Sequence, residues 1–239
     1  MYYNHIMKKI IFTTEKTGFA DIKFTQPQPS KNFIPSWFTN MPMNLPLPNN
    51  HNFVSKLIPN FKGARHCPSF VEVFREGYVL VAPCDIHMFF QDGEFFMNPS
   101  NDEFVVRTHA PEQFMDYIPE DTGIRATVNI NTGWFGITPK GYGLRYLPLM
   151  YNFNKEWSAN YGVVHTDKLH ELSVQIFYTS DKNEILIKQG EPLCYIIPYK
   201  RESFNWTITP VTKKLMQKIR TGHYKVVNKF KTGYSRNES

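Results

Sequence analysis

The residues of this chain whose types and spacing could do chemistry are His165-Thr166-Asp167. The pair is read as opening a β-strand. In a strand, residues i and i+2 point to one face, which would set the imidazole beside the carboxylate. Three uses follow. The two side chains can supply two of the three ligands of a facial metal triad, with His223 downstream as the third. His165 can act as a general base. Alternatively, Asp167 does no chemistry and braces a turn by accepting backbone N–H bonds.

Other candidates are thinner. His66, Cys67, Cys84 and His87 hold zinc-ligand residue types, but His66 and Cys67 are adjacent and point apart in an extended chain. The three cysteines are far apart and lack a Cys-x-x-Cys, so buried free thiols in a reducing compartment are expected. There is no glycine-rich phosphate loop and no Gly-x-Ser-x-Gly elbow. No cofactor is expected.

Charge gives a second kind of site. The formal net charge is +6. Residues 200–239 hold 10 Lys and Arg against 2 Glu, while residues 1–199 hold 17 against 19 Asp and Glu. The positive surplus therefore lies in the tail. Lys213, Lys214, Lys218, Arg220, Lys225, Lys229 and Lys231 are the residues expected to meet an anionic partner.

The elements that must position these residues read as short strands. Aromatics make up 15% of the chain, with 17 Pro and 13 Gly, which favours strands and loops over long helices. Two short strands are expected in 8–25 around Thr17-Gly18-Phe19. A proline-rich stretch from Pro27 to Pro59 excludes regular helix and central strand. A short helix is expected after Pro68-Ser69, ending at Gly77. Strands are read at Tyr78–Ala82 and Ile86–Phe90. Asp92-Gly93 then makes a hairpin turn back into Phe95-Phe96-Met97. Phe89, Phe90, Phe95 and Phe96 are expected to pack the sheet.

A strand pair follows at 124–130 and 134–137, then a tight turn at Thr138–Gly143 and a strand to Leu149. Leu172, Val174, Ile176 and Tyr178 alternate with polar or outward residues, the period of a half-buried strand. Ile185–Lys188 and Leu193–Pro198 complete the set. A helix is placed only near 211–220. The basic Met7–Phe12 segment has too short an apolar run for a signal peptide. No segment approaches the roughly 18 apolar residues of a membrane span, so no membrane partner is expected. The expected architecture is all-β, a sandwich or barrel. The division is residues 1–64 as N-terminal strands and proline-rich arm, 65–205 as β core, and 206–239 as basic tail.

Several of these segments stand in a familiar order. Gly136-Ile137-Thr138-Pro139-Lys140-Gly141-Tyr142 precedes Gly162-Val163-Val164-His165-Thr166-Asp167. Leu172-Ser173-Val174-Gln175-Ile176 follows, then Ile185–Pro198. The order resembles the core of trimeric dUTPases and dCTP deaminases, a β-clip fold. Ile34-Pro35-Ser36-Trp37 and Pro192–Glu202 are similar to segments of a group of uncharacterised phage-encoded proteins, a resemblance that spans most of the chain. The dUTPase resemblance implies a nucleotide pocket in which an Asp activates water and a Tyr stacks on the base. His165 stands at that Asp and Leu169 near that Tyr, and Asp167 alone matches. Where the resemblance places a phosphate-binding serine motif, Leu147-Pro148-Leu149-Met150 stands nearby. A His-x-Asp strand also resembles Fe(II), 2-oxoglutarate oxygenases, which implies His165, Asp167 and His223 on iron and Arg236 on the cosubstrate.

The resulting expectation is a non-enzymatic phage-type β protein acting through its surfaces, in virion assembly or in binding a host or phage partner. It would form a homo-oligomer, a trimer by the resemblance, and reside in the infected cell's cytoplasm or the virion. The alternatives are an oxygenase and a dUTPase-like hydrolase with an altered site.

Overall fold

A computed structural model describes residues 8–45 and 61–231. Its strands are β1 (Ile11–Thr13), β2 (Gln28–Pro29), β3 (Asn44–Leu45), β4 (Phe61–Lys62), β5 (Tyr78–Val81), β6 (Ile86–Gln91), β7 (Glu94–Pro99), β8 (Val106–Thr108), β9 (Ala126–Ile137), β10 (Tyr142–Leu147), β11 (Trp157–Ala159), β12 (Gly162–Val164), β13 (Glu171–Tyr178), β14 (Glu184–Ile187) and β15 (Pro192–Lys200). The helices are α1 (Ser36–Asn40), α2 (Pro68–Val71) and α3 (Lys213–Lys231), with several short 3-10 turns between.

The chain divides into two units, one of residues 1–33 and 75–201 and one of 34–74 and 202–239. Strands β1 and β2 join sheets of the first unit.

The first unit is built from antiparallel sheets. One runs β1-β9-β13-β11 with β8 also on β9; another runs β12-β10-β15-β5-β2; a third runs β14-β6-β7. Among the described residues, none closes into a barrel. The period-two pattern read in β13 is borne out: Leu172, Val174, Ile176 and Tyr178 are all buried. They pack in one cluster with Val128 and Ile130 of β9, Leu144 of β10, Ile86 and Met88 of β6, and Leu193 and Ile196 of β15. Burying one such Leu or Ile side chain contributes about 1.5–3 kcal/mol before entropy is charged against it. Val79, Val81 and Tyr195 form a second, smaller cluster with Leu147 and Phe33. That is why both faces of β15 are apolar.

The hairpin at Asp92-Gly93 is as expected, with φ of 52° and 83° at its two tip residues and Gln91 opposite Glu94. Phe90 and Phe95 pack edge-on against Tyr178. Phe89 and Phe96 stack on each other, with ring centroids 5.5 Å apart, and Phe96 is 40% exposed.

Three local expectations are corrected. Residues 19–25 form two 3-10 turns, not a second strand. The helix after Cys67 covers only Pro68–Val71. The expected break at 131–133 is a bulge within a single 12-residue strand, β9. There Glu171 faces Phe135 and Ser173 faces Asn131, so one extra pair of residues is accommodated on β9. Gly133 takes φ of 75°, which its lack of a Cβ permits.

In the second unit, β3 pairs with β4, and Arg65 donates to the carbonyls of Thr39 and Met41. Phe38 packs on Phe74 and Phe70. The part of the proline-rich stretch at 46–60 lies outside the described residues. Helix α3 covers Lys213–Lys231, longer than the 211–220 expected.

Candidate functional site

His165-Thr166-Asp167 does not open a strand. It forms the turn after β12, with the N–H groups of Lys168 and Leu169 both donating to the His165 carbonyl at 2.8 and 2.9 Å. His165 and Asp167 therefore do not share a strand face. The turn is held from three sides. The Thr138 N–H donates to the Thr166 carbonyl at 3.3 Å. The hydroxyls of Thr138 and Thr166, both buried, lie 2.9 Å apart. His170 Nδ1 lies 2.9 Å from the Thr166 carbonyl oxygen. Buried hydroxyls must find partners, and these two find each other.

Asp167 reaches across to the turn between β9 and β10. Its Oδ2 accepts the Gly141 N–H at 2.9 Å and is ion-paired with the Arg201 guanidinium. The Arg201 N–H donates to the Gly141 carbonyl at 2.9 Å, so all three residues form one knot. The Asp167 side chain is only 4% exposed. The Gly141 N–H, and then the Arg201 charge, hold its carboxyl below the usual range, against the opposing pull of burial. Asp167 Oδ1 and Arg201 Nε are buried and take no partner among the described residues. His165 is exposed, with its Nδ1 3.4 Å from Arg201 Nη1.

The expectation that Asp167 accepts a backbone N–H is met, by the Gly141 N–H of the neighbouring hairpin. Arg201 is a partner that the sequence does not mark. It stood in view within the Pro198–Glu202 segment, but nothing in the sequence pairs it with Asp167. Leu169 is 61% exposed.

The remaining candidates scatter. Among the described residues, no three His, Cys, Asp or Glu side chains are grouped to hold a metal ion. His223 lies on the backbone of α3, with its side chain outside the described part, and Arg236 is also outside it. Cys84 is buried and His87 pairs with Glu184 at 3.2 Å. Burial pushes the thiols of Cys84 and Cys194 up, Cys194 much the further. In α3, Lys213, Lys214, Lys218 and Arg220 are exposed. Lys225, Lys229 and Lys231 fall on the same helix. Seven cations and no carboxylate on one helix make a strong local positive field.

A further feature is a run of exposed apolar side chains after β15. Phe204, Trp206 and Ile208 are 83%, 83% and 88% exposed. They alternate with Asn205, Thr207 and Thr209 in a segment without regular secondary structure.

No family model matches the chain. No curated protein matches it. Among solved structures it is similar to the native dUTPase of EIAV, at 14% identity and a TM-score of 0.33, covering 58% of this chain and 84% of that one.

Proposed function

We propose that this chain is a non-enzymatic protein of phage type, with a core akin to that of dUTPases, that works through its surfaces in virion assembly or in binding a phage or host partner. The observation that carries the reading is the state of Asp167. A carboxylate that acts on a substrate needs an oxygen open to it. Here Oδ2 is spent on the Gly141 N–H and the Arg201 guanidinium, and Oδ1, without a partner among the described residues, is buried with the rest of the side chain, so neither oxygen is open to a substrate. The motif order that resembles dUTPases supplies the likeness of the core; the knot supplies the reason for reading its chemistry as structural. The exposed apolar segment at 204–208 and the cationic helix α3 are surfaces for partners. Self-association follows from the same reading, with the anionic partner meeting α3.

The test is direct. The purified chain is incubated with dUTP and with dCTP in the presence of Mg2+, and separately with Fe(II) and 2-oxoglutarate. Pyrophosphate and succinate are measured. The expected result is no turnover above protein-free controls. Turnover that disappears in His165→Ala or Asp167→Asn would overturn the reading and make the pair an active site.

A further inference from the structure

The segment from Ser203 to Thr209 has the residues of a β-strand without a sheet. Phe204, Trp206 and Ile208 recur at period two, with Asn205 and Thr207 between them and Thr209 after. All three large side chains are more than four-fifths exposed. Residues 203–211 make no backbone-to-backbone hydrogen bond among the described residues. Extended chain of this composition, with its ladder groups unpaired, is the form in which a peptide adds to a sheet edge.

The same chain carries a matching edge. Among the described residues, β7 ends its sheet, with β6 on one side and no strand on the other. Counting outward from the bonded Gln91–Glu94 pair, ladder alternation turns the N–H and C=O of Phe95 and Met97 away from β6. Beside that edge, Phe96 is 40% exposed and backed by Phe89. Edges this apolar attract strands unless something covers them. Charge agrees with the match. Residues 85–99 contain Asp85, Asp92 and Glu94 and no Lys or Arg. Residues 203–231 contain seven Lys and Arg and no Asp or Glu.

We infer that residues 203–209 of one copy add as a strand to the free edge of β7 in a second copy, with Trp206 packing beside Phe96. Each copy then offers one arm and one edge. The contact is heterologous, and a ring of copies satisfies every arm. The following helix α3 is carried toward the acidic hairpin. The inference rests on the reading that the chain works by associating through its surfaces.

The test uses the full chain and sedimentation velocity over a range of concentrations, with Trp206→Ser and Phe96→Lys as variants. Both positions are exposed, so both variants should keep the wild-type melting temperature; Trp206→Ser serves alone if Phe96→Lys does not. The expected result is a wild-type oligomer whose dissociation constant rises about tenfold or more in either variant, as for a central aromatic contact. The double variant should be little weaker than either single one, since both remove one contact. An oligomer indifferent to both substitutions would overturn this contact and leave self-association standing. A wild-type chain that stays monomeric throughout would overturn both.

Discussion

Asp167 is where residue-level chemistry decides most. Its folded pKa lies below the ordinary value of about 3.9. The native state therefore binds its proton less readily than the unfolded chain does. The stabilisation is full above that ordinary value and is lost as pH falls through the lower folded one. Asp167→Asn should lower the melting temperature at neutral pH and flatten its dependence on pH below about 4; melts across that range check it. A second expectation concerns thiols. Cys84 and Cys194 are buried and Cys67 is partly exposed, so of the three free cysteines only Cys67 should react with a thiol reagent in the folded protein. All three should react after denaturation. The sequence identified Asp167 and its role as an N–H acceptor, because Asp has few other uses in a turn. It could not pair Asp167 with Arg201, because they stand 34 positions apart and the pairing of β10 with both β12 and β15 brings them together.

At the level of the element, β9 is the strand whose continuity the sequence concealed. Asn131-Thr132-Gly133 has the composition of a hairpin turn, and a bulge uses the same chemistry. What separates the two is the partner strand, and β13 pairs with both halves of β9. Strands with clean alternation, β13 above all, were legible, as was the tip at Asp92-Gly93, where local composition and tertiary fold agree. The 3-10 turns at 19–25 were not, because Phe19 is drawn into the core beside Phe104 and Trp134 and overrides the local pattern. Gly133→Val tests the bulge. A Cβ there would lie 2.6 Å from Phe104 Cε1 and 3.2 Å from Phe19 Cε1, at a φ of 75°. The variant should lose about 2–4 kcal/mol in urea unfolding, from strain and overpacking together.

At the level of the whole molecule, charge is partitioned. The first 199 residues are close to neutral and α3 concentrates the cations. Replacing Lys213, Lys214 and Lys218 by Gln should make the chain elute from a heparin column at lower salt without altering its melting temperature, since all three are exposed. The extended stretch at 203–209 has a practical corollary for anyone handling the protein. In a copy whose arm is not docked, Phe204 and Trp206 are aromatic, solvent-facing and in open backbone, the preferred substrate of chymotrypsin-like proteases. Cleavage after Trp206 would leave a fragment with 19 Lys and Arg against 20 Asp and Glu. Its formal charge is −1, where the intact chain has +6. A single nick would thus reverse the sign of the molecule, and a nicked preparation would leave a cation exchanger in the flow-through.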